Sequence, residues 1–195
     1  MNHLDGVTSV QQTKALGMST VAFIICFAVW TIFSIIGVQI KAQLGLTEAE
    51  FGLLAGAPIL TGSVVRVGLG VWTDRYGGRV VNLVVMLTAA LATLLLTQAH
   101  TYPQFLLAAL AVGMAGGSFA VGVAYVARFF PPERQGSALG VFGAGNVGAA
   151  VTKFAAPFVM LAYGWKTVAA VWACALALMA VVFFLFTRDD PVLVE

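Results

Sequence analysis

Phe51-Gly-Leu-Leu-Ala-Gly-Ala-Pro-Ile-Leu-Thr-Gly-Ser-Val-Val-Arg66-Val-Gly-Leu-Gly-Val-Trp72 carries one charge in a run that is otherwise apolar, glycine, proline, serine or threonine. Wound as an α-helix, the stretch rises roughly 33 Å, about the thickness of a bilayer's hydrocarbon core. An arginine inside such a span costs up to about 2.5–3.5 kcal/mol on insertion scales, so it is kept mostly where it faces a cavity or an anionic partner. The alternative is snorkelling to the headgroups, which is easiest close to helix ends, and Arg66 lies about a turn and a half inside Trp72. Arg66 therefore reads as a functional intramembrane cation.

The rest of the chain has the same character. Apolar residues make up 61%, charged residues 9%, and the mean hydropathy is +0.98, against about 25% charged in soluble domains. Six runs are long enough to span: Met18–Ile40, Phe51–Trp72, Val80–Thr97, Phe105–Ala127, Ser137–Ala162 and Thr167–Thr187. The first is too long for a signal-peptide core and lacks a small-residue cleavage site. The stretches Met1–Gly17 and Asp189–Glu195 are polar enough to be tails, and the connections between spans are short. The expected fold is all-α, a polytopic membrane protein of six transmembrane helices within residues 1–195.

Several classes fall away. Cys26 and Cys174 both lie inside spans and read as small apolar packing residues, not as a disulfide or metal site. A net charge of +2 with no basic run gives no footprint for nucleic acid. No cluster of His, Cys, Ser or acidic residues has a catalytic arrangement, with His3 in a tail and His100 in a loop, so neither an enzyme nor a bound cofactor is expected. With a cytoplasmic N-terminus, Lys14, Arg75, Arg79, Arg128, Arg134 and Arg188 fall inside and only Lys41 and Lys166 outside, which places both termini in the cytoplasm of a plasma (inner) membrane protein.

The spans repeat. A shift of 87 residues lays the second span over the fifth: Gly56-Ala57 on Gly143-Ala144, Arg66 on Lys153, Tyr76-Gly77 on Tyr163-Gly164, and Arg79 on Lys166. The two intramembrane cations thus coincide. An odd number of spans per copy inverts the second copy, giving a 3+3 inverted repeat.

Two further motifs carry chemistry. Gly70-Val-Trp-Thr-Asp74-Arg75-Tyr-Gly77-Gly78-Arg79 reads as a tight turn in which an acid beside two bases pairs locally or caps helix ends. The small residues of Gly113-Met-Ala-Gly116-Gly117-Ser-Phe119-Ala and Gly136-Ser-Ala-Leu-Gly140-Val-Phe-Gly143-Ala-Gly145-Asn146-Val-Gly148 let helix backbones approach closely. Packing does not require Asn146, and Lys153 follows it seven residues later on nearly the same helical face.

The spacing Gly-x3-Asp-Arg-x-Gly-x-Arg, after the second of six spans, resembles the signature loop of the major facilitator superfamily, with Trp72 a mild departure from its usual apolar residue. Phe27-Ala-Val-Trp30, Gln39-Ile-Lys41-Ala-Gln-Leu-Gly-Leu, Phe51-Gly-Leu-Leu, Gly62-Ser-Val-Val-Arg66, Gly117-Ser-Phe119-Ala, Phe129-Phe-Pro131 and Gly143-Ala-Gly145-Asn146-Val-Gly148 are similar to the nitrate/nitrite porter family within it. That resemblance covers essentially the whole chain as the N-terminal half of such a porter. It implies that Arg66 binds a small anion, that Phe119 forms an aromatic wall against the planar substrate, and that Asn146 is the amide of a glycine-rich signature containing Gly143, Gly145 and Gly148. Lys153, standing where a neutral amide is expected in many members, joins Arg66, Phe119 and Asn146 as an expected substrate-binding residue. Facilitators have two six-span halves, so a second half or another copy is the expected partner, alongside the lipid bilayer. Two other readings stay open at this level: a facilitator half for another small anion or organic acid, and a non-transporting membrane scaffold.

Overall fold

The computed structural model describes residues 7–191, and all regular structure among them is helical. The parts of the expected tails at residues 1–6, with His3, and at residues 192–195 lie outside the described residues. Among the described residues, six helices are long and apolar enough to cross a membrane: α1 (Ser9–Leu44), α2 (Glu48–Tyr76), α3 (Gly78–Leu96), α4 (Tyr102–Ala127), α5 (Pro132–Tyr163) and α6 (Trp165–Phe186).

Their ends differ from the sequence expectation. The first helix starts at Ser9, not Met18, because Thr8 caps it: its hydroxyl accepts from the Gln11 N–H while the Gln11 side chain accepts from the Thr8 N–H. Thr47 and Glu50 form the same reciprocal cap at the start of α2. The connections are shorter than hydropathy implied. Gly77 (φ 84°) alone joins α2 to α3, and Gly164 (φ 81°) alone joins α5 to α6. These two glycines are 87 residues apart, the offset of the repeat. Both hold a backbone conformation that a side chain would strain.

Three spans change winding part-way. α1 breaks at Thr31-Ile32, α4 tightens to a 3-10 turn at Gly113–Gly117, and α5 does so at Ala144–Val147. α2 instead carries Pro58, which occupies the position 87 residues before Gly145. Packing follows the same symmetry. α3 runs along α6, α1 packs on α5 and α6, and α4 packs on α2 and α3. Exchanging α1 with α4, α2 with α5 and α3 with α6 preserves that pattern, as an inverted repeat requires.

Polar side chains stitch the apolar core. Thr152 of α5 donates to the Ala28 carbonyl of α1 (2.7 Å) and accepts from the Trp172 indole of α6 (2.9 Å). Gln12 at the start of α1 donates to the Phe129 carbonyl just past α4, and Tyr125 of α4 donates to the Arg188 carbonyl just past α6. The first and last described segments therefore lie on one side of the bundle. On the other side, Trp165 donates to Gln43 and Tyr102 to the Glu50 carbonyl. α2 and α5 are the least covered helices, their most apolar windows only 28% and 22% buried against 39–50% for the other four.

Candidate functional site

Arg66 lies on α2, and its guanidinium is half-buried. The opposing wall is made by glycines. A Cβ at Gly113 of α4 would come within 2.7 Å of the Pro58 carbonyl, and one at Gly116 within 2.6 Å of the Trp30 indole. Only hydrogen in those places lets α2, α4 and the end of the first half of α1 meet so closely. Trp30 is held by its indole N–H, which donates to the Pro58 carbonyl at 2.7 Å.

In this frame Arg66 Nε donates to the Gly116 carbonyl at 3.2 Å. The guanidinium carbon sits 5.4 Å from the Trp30 ring centroid and 5.6 Å from that of Phe119. Both distances are within cation–π range. Among the described residues, neither terminal nitrogen of Arg66 has a hydrogen-bond acceptor. Both terminal nitrogens of the planar fork are therefore uncommitted among the described residues.

Phe119 also belongs to an aromatic cluster, 5.4 Å from Phe23 and 6.0 Å from Phe142, with Phe23 and Phe142 stacked at 4.9 Å. Gly145 backs onto this cluster, since a Cβ there would lie 2.4 Å from Phe23. Gly148 meets α1 directly, its notional Cβ 2.0 Å from the Ile24 carbonyl oxygen, whereas Gly143 has nothing within 4 Å. So the glycine signature divides: Gly145 and Gly148 serve contact with α1, and Gly143 faces open space. Asn146 is exposed, and its amide nitrogen donates to the Gly143 carbonyl at 2.7 Å, closing the 3-10 turn. Lys153 is also exposed, with no ion pair among the described residues. Arg66 and Phe119 thus meet directly, while among the described residues neither Asn146 nor Lys153 has a hydrogen bond or ion pair to Arg66.

A second polar centre lies on the side of the chain ends, and here the sequence reading needs correction. The turn within the Gly70–Arg79 stretch is confined to Gly77. α2 runs on through Tyr76, so Gly70, Asp74 and Arg75 are helical and only Gly77 leaves the helix. Asp74 does not pair with its neighbours; it pairs with Arg128, just past α4. Arg128 also holds Asp190 at 2.6 Å and donates to the Thr73 carbonyl. Arg79 donates to the Phe184 carbonyl at 2.6 Å, lies 4.1 Å from the Phe184 ring centroid, and pairs with Asp189 at 3.2 Å. Arg75 is exposed, its guanidinium 5.6 Å from the Tyr76 ring. Asp189 and Asp190, read from sequence as the start of a tail, are parts of this network.

Asp190 is 0% exposed and accepts from the Gly78 N–H at 2.7 Å. Its second oxygen, Oδ1, is buried with no partner among the described residues. Burial pushes its carboxyl above the usual aspartate range, against the lowering pull of the Gly78 N–H and Arg128. Arg128 and Asp190 lie 54 and 116 positions from Asp74, so no local pattern could have paired them with it.

A sequence profile of the Major Facilitator Superfamily matches residues 18–195. The chain belongs to the major facilitator superfamily. Among curated relatives it is 39% identical over 190 residues to a protein named "Probable nitrate/nitrite antiporter NarK1" from Thermus thermophilus, covering 91% of this chain and 43% of the relative. It is 30% identical over 176 residues to the "Nitrite extrusion protein" of Bacillus subtilis (strain 168), covering 90% and 45%. This facilitator chain therefore spans about half the length of the curated relatives it matches. A bacterial homologue of the human lysosomal transporter Spinster, solved inward-facing and occupied, superposes with a TM-score of 0.79 at 17% identity, over 94% of this chain and 46% of that one. At that identity the likeness speaks for the fold alone.

Proposed function

We propose that this facilitator chain forms half of a carrier for nitrate and nitrite in the plasma membrane, with Arg66 as its anion ligand. The observation that carries the reading is the state of the guanidinium. Nε is committed to the Gly116 carbonyl, the ring faces of Trp30 and Phe119 flank the group, and both terminal nitrogens are free among the described residues. A flat, weakly hydrated oxyanion can take two parallel N–H···O bonds from that fork. Phe119 limits it to a planar shape. The second N–H of the Asn146 amide and the Lys153 charge add donors and positive potential across the opening. The names of the relatives point to the same substrates.

A carrier needs a second wall. α2 and α5 are the two least covered helices, and both expose glycines with open space at the Cβ, among them Gly56, Gly68, Gly136 and Gly140. Such surfaces suit the close approach of another helical bundle, so the partner in this reading is a second six-helix half or a second copy. The excess of basic residues near the chain-end side supports a cytoplasmic position for that side in this reading.

The test is uptake by the full-length carrier in proteoliposomes. Arg66→Lys keeps the charge but loses the planar fork, and the loss of one charge-assisted bond, about 1.5–3 kcal/mol, weakens anion affinity roughly 10- to 150-fold. Arg66→Ala is at least as damaging to uptake while leaving membrane insertion intact, because it makes the span more apolar. Wild-type nitrate and nitrite uptake by both variants at normal expression would remove Arg66 as the ligand and favour a carrier of another small anion or organic acid.

A further inference from the structure

On the side of the chain ends, away from Arg66, a cavity of about 280 Å³ opens between the start of α1, the end of α4 and the segment after α6. It lies near the lower end of the range for ligand pockets. Its lining has two characters. Lys14, Arg188 and Thr187 give it charge and a hydroxyl, whereas Val10 and Phe186 give it an apolar rim over the buried Phe129. Val10 and Phe186 are 60% and 56% exposed, so the rim faces outward.

The walls are fixed independently of any ligand. The reciprocal cap of Thr8 and Gln11 sets the start of α1, and Gln12 ties that start to the Phe129 carbonyl at 2.8 Å. Tyr125 holds the Arg188 carbonyl at 2.6 Å, and Thr187 donates to the Phe183 carbonyl at 2.6 Å. The neighbouring carboxylates are engaged elsewhere, Asp189 with Arg79 and Asp190 with Arg128. Among the described residues, neither Lys14 nor Arg188 has an anionic partner.

We infer that this cavity binds a phosphate-type anion, and that the phosphodiester of a membrane lipid is the source that fits it. Lys14 and Arg188 approach the phosphate from two separate chain segments, and the cation that offers a fork and the one that offers a point charge complement each other. Val10 and Phe186 meet the first carbons of the acyl chains. A free phosphate would use the cations and leave the apolar rim in water. The site is separate from the proposed nitrate site and does not depend on it.

The experiment measures unfolding midpoints of the purified full-length protein in phosphatidylcholine nanodiscs with and without phosphatidylglycerol, and in detergent with and without inorganic phosphate. Phosphatidylglycerol should raise the midpoint by about 2–4 °C, the shift expected from modest stabilisation of a chain of this size. The paired substitution Lys14→Gln with Arg188→Gln should abolish the rise. Val10→Trp, which keeps both charges and fills the rim, should also reduce it. Arg75→Gln with Arg134→Gln removes as much charge outside the cavity and should leave the rise in place. A rise given equally by inorganic phosphate and lost in the Lys14/Arg188 variant supports the site with free phosphate as its source. Two outcomes overturn the proposal: no rise with either probe, or a rise that the Arg75/Arg134 variant removes as fully as the Lys14/Arg188 variant.

Discussion

Asp190 is a carboxylate enclosed on all sides and paired on one oxygen only, so its charge is held at the expense of solvation. Its folded-state pKa is raised, which means the folded protein binds this proton more tightly than the unfolded chain. Stability from Asp190 is then fully present at acid pH and is lost as pH rises through the raised value. Asp190→Asn removes that titration, so the Tm of wild type minus that of the variant should grow as pH falls from neutral toward the ordinary aspartate range. A constant difference across that window would mean that the carboxyl titrates normally. The signature glycines give a second test. Gly148→Ala drives a methyl onto the Ile24 backbone carbonyl, which has no rotamer to escape into, and should cost about 1–3 kcal/mol. Gly143→Ala meets nothing within 4 Å and should leave stability within about 0.5 kcal/mol. Equal losses in denaturation of the two variants would remove the distinction between a packing glycine and an open one.

In each copy of the repeat the second and third helices are joined by one glycine, Gly77 or Gly164. Gly164 has φ 81° and ψ 167°, and a Cβ there would touch nothing within 4 Å. Any cost of Gly164→Ala is therefore backbone strain, on the order of 1–3 kcal/mol for a side chain in that region. Gly136→Ala, on an exposed turn of α5 with equal space around it, should be neutral or stabilising by up to about 1 kcal/mol. Comparing the two in chemical unfolding separates conformational strain from space. The same geometry explains why the Asp74 motif is so compact: α2 continues to Tyr76, reverses at Gly77, and delivers the Gly78 N–H directly to Asp190.

At the scale of the whole bundle, α3 and α6 expose long apolar side chains such as Leu91 and Leu178, and α2 and α5 expose Val67 and Phe154. Composition alone does not distinguish these faces. The proposed carrier does, because a second bundle covers α2 and α5 and leaves α3 and α6 to lipid. Tryptophan placed at Leu91 should be quenched strongly by brominated lipids in the full-length protein, and tryptophan at Val67 should be shielded. Equal quenching at both positions would leave α2 facing lipid and the second half without its docking face.

The sequence by itself determined the number of spans, their apolar interiors, the inverted repeat and the odd charge at Arg66, because those follow from local composition and from one fixed 87-residue offset along the chain. It also marked the Gly70–Arg79 stretch and the glycine-rich run around Asn146, since glycine spacing is local too. It misjudged the helix ends, where one reciprocal cap at Thr8 outweighs a polar composition and one positive-φ glycine replaces a loop. What only the tertiary structure decided is which groups meet. Arg66 finds the Gly116 carbonyl and the Trp30 ring, 50 and 36 positions away, and Asp74, Arg128 and Asp190 converge from three separate helix ends. Such partners are fixed by helix crossings, and the crossings depend on glycines whose missing Cβ atoms matter only once another helix lies against them.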